Sequence, residues 1–203
     1  MSEFRFRSQG ARAKYPSSTR ETVPHPPGDR QLDTRQELIE RSIPFLYEAR
    51  NRTAGSEMEA WLNTTYGPGT PVYEDLAQLI KAGVQEGWAA NVEVGGPHYR
   101  RSHVLAPCEA THYFSITAVY MSSQARFRGG YHAHPYGEVN MVVPIDPGAQ
   151  LMGPNGWQGP GWTAPGPASH HYPEIRGGAL ISLVFLPAGR IDIRPAPEAG
   201  AMD

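Results

Sequence analysis

Tyr131-His132-Ala133-His134-Pro135-Tyr136-Gly137-Glu138 sets out two histidines and a carboxylate as His132-x-His134-x3-Glu138. Side chains alternate faces along an extended strand, so His132 and His134 point the same way. Glu138 shares that face if the strand resumes after Pro135-Tyr136-Gly137. Two imidazoles and one carboxylate converging on a point make a site for a divalent metal with open positions. A further histidine, His170, follows a Pro-rich turn downstream. A chain that builds such a site is expected to handle a small molecule there.

The flanking sequence is β-like from Gly95-Gly96-Pro97 onward. His112 to Met121 is rich in β-branched and aromatic residues, and Val139 to Ile145 is a second apolar strand closed by Asp146-Pro147-Gly148. Short strands are expected around Gln150 to Met152, Gly161 to Ala164, His171-Tyr172, Ala179 to Leu186 and Arg190 to Ile193, separated by tight Gly/Pro turns. Many short strands so punctuated predict a sandwich or barrel. No glycine run leads from a strand into a helix, so the Gly content is no phosphate loop.

Upstream the pattern is helical. Asp33 and Gln36 resemble a capping box, and Leu38, Ile39, Ser42, Ile43 and Leu46 follow at helical spacing, with Pro44 expected to kink or reset the run. A second helix is expected over Glu57 to Thr64. The third starts with Thr70 as N-cap and Pro71 at the first helical position, and Gly87 can stop it. Trp61 and Trp88 read as core or interface anchors. The expected organisation is an Arg-, Ser- and Pro-rich arm over 1–31, a helical layer over 32–96, a β-barrel over 97–194 and a tail over 195–203.

The chain has 203 residues and a formal net charge of -2. That is enough for one well-buried domain with appendages, and it advertises neither nucleic-acid nor anionic-membrane binding. The single Cys108 rules out an internal disulfide framework. No apolar run approaches the roughly 18–20 residues of a membrane span, and Met1 to Gly10 lacks the apolar core of a secretory signal. A cytoplasmic protein is expected, and pairing of its arm and apolar strands across a two-fold makes a homodimer plausible.

These residues carry a resemblance to the cupin superfamily of small β-barrels, whose motifs read G-x5-H-x-H-x3,4-E-x6-G and G-x5-P-x-G-x2-H-x3-N. His132, His134 and Glu138 match the core of the first, and Gly159, Pro165 and His170 match the second. Pro167 and Glu174 replace its Gly and Asn, Glu138 to Gly148 exceeds the family spacing, and Gly129 and Gly130 lie too close to His132. Within the superfamily, the segment from His132 to Ile191 and its helical preamble are similar to the p-hydroxylaminobenzoate lyase family. That resemblance implies conversion of 4-hydroxylaminobenzoate to protocatechuate with release of ammonia.

On this reading His132, His134, Glu138 and His170 hold one divalent metal ion (Fe, Zn, Mn or Ni). His170 and His171 face opposite sides of a strand, which leaves His171 outside the ligand set or at its rim. Tyr131, Tyr136 and Tyr172 flank the ligands and can stack on an aromatic substrate or donate a proton. Among Arg100, Arg101, Arg126 and Arg128, Arg101 and Arg128 are the candidate clamps for a substrate carboxylate. Tyr136, His171 and Glu174 are the candidates for proton transfer, with Glu174 also a candidate to orient a ligand imidazole.

The implied chemistry cleaves the N–O bond by neutralising the departing hydroxide, adds water to the neighbouring ring carbon, and hydrolyses the resulting imine before rearomatisation. Two other classes share the ligand set. One is an Fe(II)-dependent cupin dioxygenase of an aromatic substrate. The other is a non-catalytic small-molecule-binding cupin.

Overall fold

Residues 33–193 are described by a computed structural model; the arm expected over 1–31 and the tail over 195–203 lie outside the described residues. Helix α1 spans Thr34–Ala49, and the Asp33 side chain caps it by accepting from Gln36 N at 2.7 Å. Pro44 lies inside α1 without ending it. Its ring faces solvent, as does Glu40 one turn earlier, so water can satisfy the carbonyl that Pro44 leaves without an N–H. Helix α2 covers Ser56–Tyr66. Helix α3 covers Pro71–Glu86 between the Thr70 cap and Gly87, whose φ of 82° is the left-handed conformation that closes a helix cheaply only with glycine.

The strands are β1 (Val92–Glu93), β2 (Tyr99–Leu105), β3 (Phe114–Ser123), β4 (Phe127–Arg128), β5 (His132–His134), β6 (Val139–Pro144), β7 (Gln150–Gly153), β8 (Gly156–Gln158), β9 (Gly161–Thr163), β10 (Ser169–His171), β11 (Glu174–Arg176), β12 (Gly178–Pro187) and β13 (Asp192–Ile193). They form a six-stranded sheet β1-β2-β3-β12-β6-β9, a three-stranded sheet β10-β5-β13 and a four-stranded sheet β4-β11-β7-β8, paired antiparallel throughout. The long strand β3 starts two residues later than its composition suggests. His112 and Tyr113 take positive φ at the end of a 3₁₀ turn, and no strand can begin there.

Alternation on the six-stranded sheet explains its apolar character on both faces. Ile116 and Ala118 of β3, Val139, Met141 and Val143 of β6, and Ile181, Leu183 and Phe185 of β12 pack under the helices. The intervening Thr117, Val119 and Met121, Asn140, and Ser182, Val184 and Leu186 line a cavity on the other face. Residues of β5, β7 and β13 line the same cavity from across. The result is a cupin-type β-barrel with a helical layer on its outer face.

The helices are held to the barrel by a packed aromatic cluster and by polar pins. Phe45 of α1 meets Trp162 at 5.4 Å and Phe185 at 4.9 Å between centroids, the latter edge-on. Trp61 and Trp88 pack at the border of this cluster. Tyr73 of α3 donates to the Val142 carbonyl at 2.5 Å and accepts from Gly161 N. Asn63 of α2 brackets Trp162, donating to its carbonyl and accepting from its N–H, both at 2.9 Å. The buried Glu59 carboxylate accepts from Asn155 Nδ2 at 2.7 Å and from Ala164 N at 2.9 Å. These bonds fix β9 and the loop leading to β10.

Candidate metal centre and substrate cavity

Strand β5 carries His132 and His134 on one face, and β10 runs antiparallel beside it. The register pairs His171 with His132, His170 with Ala133 and Ser169 with His134. Directly paired residues share a face, so His171 joins the two β5 histidines. One ring nitrogen from each of these three lies within 4.8 Å of the others. Their rings meet edge to face, with centroids 4.8 to 5.1 Å apart.

Glu138 reaches the same point through the turn that follows β5. Gly137 has φ 83°, and a Cβ there would come within 2.6 Å of Ala54 Cβ and 3.0 Å of the Pro165 carbonyl oxygen. Only glycine lets the chain turn so tightly between those neighbours. Glu138 N then donates to the Pro165 carbonyl at 2.9 Å. The Glu138 carboxylate is thereby set with Oε2 3.0 Å from His134 Nε2 and 3.6 Å from His171 Nε2.

The polarity of this group is unsatisfied by the protein itself. Both ring nitrogens of His134 and Oε2 of Glu138 are buried without a hydrogen-bond partner, although such groups are normally paired. His132 Nδ1 lies 2.9 Å from the Gly130 carbonyl. A carbonyl only accepts, so Nδ1 carries the proton of a neutral ring and Nε2 presents its lone pair to the cluster. That Nε2 faces His171 Nε2 at 3.1 Å. Three imidazole nitrogens and a carboxylate oxygen converging on one point are the ligand set a divalent cation takes, and these residues fit one.

Burial sets the protonation of the site. It is the main cause that lowers His132, takes His134 down to about 3 and takes His171 down to about 4; neighbouring positive imidazoles add to the last two. Burial pushes the Glu138 carboxyl up to about 7, and a hydrogen bond with Asn140 draws it partly back. The imidazoles are therefore neutral and available as ligands at physiological pH.

The cluster lies on the wall of a cavity of about 310 Å³ whose other walls are mostly apolar, among them Val119, Met121, Leu151 and Val184. Such a volume is at the small end of ligand sites and suits a single ring. Tyr99, Tyr131 and Arg101 line it too. Arg101 adds a positive field that opposes protonation of His132.

Several sequence expectations meet a different geometry. His170, expected among the ligands, is on the opposite face of β10 from the cluster, exposed, with Nδ1 2.6 Å from the Tyr131 hydroxyl; His171 stands in its place. Glu174, expected to move a proton or orient a ligand, is held by Arg126 at 2.5 Å and Arg128 at 2.7 Å. Burial alone would raise its carboxyl, but the two guanidinium partners outweigh that and hold it below the usual range. Arg128, the other expected clamp, also lies over the Tyr172 ring at 4.6 Å. Neither Arg128, Tyr172 nor Glu174 is among the residues that line the cavity, and Tyr136 is exposed on the turn outside it. Arg101 and Tyr131 are the expected substrate contacts that reach the cavity. Asn140 and Tyr99 line it as well, and nothing in their local sequence sets them apart from barrel residues.

A model of the 4-hydroxylaminobenzoate lyase (PnbB) family matches residues 40–193. A 4-hydroxylaminobenzoate lyase from Nocardioides sp. (strain LMS-CY) is 63% identical over 169 residues, covering 82% of this chain and all of that protein. A second, from Pseudomonas putida, is 56% identical over 168 residues, covering 79% of this chain and 96% of that protein. Among solved structures, the DMSP lyase DddQ from Ruegeria pomeroyi DSS-3 aligns over 82% of this chain and 94% of that one, with a TM-score of 0.35 at 13% identity. That last likeness is too distant to bear on function.

Proposed function

The chain belongs to the 4-hydroxylaminobenzoate lyase family, and from that premise we propose that it converts 4-hydroxylaminobenzoate to protocatechuate and ammonia in the barrel cavity. The observation that carries the reading is the pairing of Arg101 with the imidazole–carboxylate cluster in one small, largely apolar cavity. The reaction balances without an oxidant: the substrate and one net water give the catechol and ammonia.

The substrate carboxylate pairs with the Arg101 guanidinium, whose planar fork suits it. Val119, Met121, Leu151 and Val184 offer the ring apolar contacts and exclude water. Arg101 is on β2 and Asn140 on β6, three strand spacings away in the sheet order, or about 14 Å across the wall. A para-substituted ring spans much of that gap, so its nitrogen end approaches Glu138 and the histidines when its carboxylate is at Arg101.

His132, His134 and His171, with Glu138 beside them, would hold a divalent cation. When bound, it would supply Lewis acidity toward the N–O oxygen and lower the pKa of a water. Burial alone raises the Glu138 carboxyl to about 7; a cation beside it would favour the ionised form, which would then serve as a ligand. Tyr99 lines the cavity as a phenol, and burial raises its pKa, so its proton is retained for donation to a departing hydroxide. The hydroxide leaves as water, water adds to the adjacent ring carbon, and hydrolysis of the imine releases ammonia.

Anaerobic incubation of the purified protein with 4-hydroxylaminobenzoate tests this directly. Equal amounts of protocatechuate and ammonia are expected. Turnover only in the presence of oxygen, with oxygen consumed, would replace the lyase with a dioxygenase.

A further inference from the structure

We propose that Asn140 is the specificity-determining residue of the cavity, its side-chain carbonyl accepting a hydrogen bond from the N–H or O–H of the substrate's hydroxylamino group. The inference rests on the reading of the cavity as an arylhydroxylamine site and goes beyond it to say how the nitrogen group is recognised.

Asn140 lines the cavity yet is 4% exposed. Its amide nitrogen is committed: Nδ2 donates to Thr163 Oγ1 at 3.3 Å, across the β6–β9 pair in which the two residues are opposite one another. Oδ1 is then left buried without a partner. Its neighbour across the β6–β12 pair on the same face is Val184, which has no donor to offer.

A buried carbonyl left unpaired is costly, and a site built around one rejects ligands that cannot complete it. The hydroxylamino group has two donors, N–H and O–H. An amino group also has donors. A nitro group has only acceptor oxygens, which would confront Oδ1. The cavity should therefore discriminate the hydroxylamino oxidation level from the nitro level of the same ring, with the shared carboxylate held alike in both.

The test measures binding of 4-aminobenzoate, benzoate and 4-nitrobenzoate by calorimetry to the protein as purified, and to Asn140→Leu, which keeps the branching and heavy-atom count of the side chain and removes its donor and acceptor. The wild type is expected to bind 4-aminobenzoate about tenfold tighter than 4-nitrobenzoate, the worth of one good buried hydrogen bond. In Asn140→Leu that ratio should collapse to within about threefold, chiefly by loss of 4-aminobenzoate affinity. Thr163→Val, which frees the amide without touching the cavity lining, should narrow the ratio partway and covers the case in which Asn140→Leu does not fold. Equal wild-type binding of the amino and nitro compounds, or a ratio unchanged in the variants, overturns the assignment. Turnover of 4-hydroxylaminobenzoate is followed separately. A preserved binding ratio without turnover would sink the reaction and leave the donor recognition standing, whereas turnover without the ratio would do the reverse.

Discussion

His171 Nε2 lies 3.1 Å from His132 Nε2 across the pairing of β10 with β5. Two imidazoles so close repel each other when both carry a full proton complement, which favours the neutral rings. Their shared orientation, with His134 beside them, gathers three ring nitrogens where they could hold one cation.

The same relationship predicts a pH dependence of stability in protein freed of metal by chelation. His134 and His171 fall from 6.5 to about 3 and about 4 on folding, and His132 is lowered as well. As pH falls below 6.5 the unfolded chain takes up these protons before the folded one, so stability falls with pH. Glu138 acts in the opposite sense: raised from 4.5 to about 7, its contribution is present at low pH and lost as pH rises through about 7. Three imidazoles outweigh one carboxyl below 6.5, where each unmatched proton changes stability by about 1.4 kcal/mol per pH unit. The urea midpoint is expected to drop steadily from pH 6.5 to 4, and less steeply in His134→Ala. A flat profile contradicts the burial of neutral imidazoles.

Arg101 and Arg128 separate by where they point. Arg101→Ala is expected to raise KM for 4-hydroxylaminobenzoate about 10- to 100-fold, with Arg101→Lys between the two. Arg128→Ala should leave KM within about twofold, because that guanidinium is engaged by Glu174 and Tyr172 outside the cavity. Steady-state kinetics on the three variants decides it, and a larger KM effect at Arg128 would count against the assignment.

Glu59 ties α2 to the loop that delivers β10. Glu59→Ala leaves the buried Ala164 N–H and the Asn155 amide without their acceptor, and should cost about 2–4 kcal/mol. Glu59→Gln keeps one acceptor oxygen and should recover part of it. Urea denaturation reads both, and a loss in Glu59→Ala below about 1 kcal/mol would show that water replaces the carboxylate readily.

Much of this was legible because β-alternation is local. His132 and His134 are two apart, and the Pro135-Tyr136-Gly137 turn announces the return of Glu138. What was not legible depends on long-range register. Motif spacing points to His170, and only the pairing of β10 with β5 puts His171 across from His132. Likewise, nothing near Arg101 or Arg128 says which borders the cavity; β2 pairing with β3 sets the exposed Arg101 there, and the Glu174 contacts of β11 claim Arg128. Strand β2 itself hides in a polar sequence, Tyr-Arg-Arg-Ser-His, because it lies toward the sheet edge with much of its surface exposed. Asn140 reads as one polar interruption in an apolar strand, and its meaning appears only once its amide partners are known.

The most direct test of the central claim compares His171→Ala with His170→Ala, measuring bound divalent metal per chain by elemental analysis after reconstitution. The account predicts that His170→Ala retains the wild-type metal content and that His171→Ala loses most of it, together with turnover of 4-hydroxylaminobenzoate. Retention of metal in His171→Ala with its loss in His170→Ala would contradict the cluster described here.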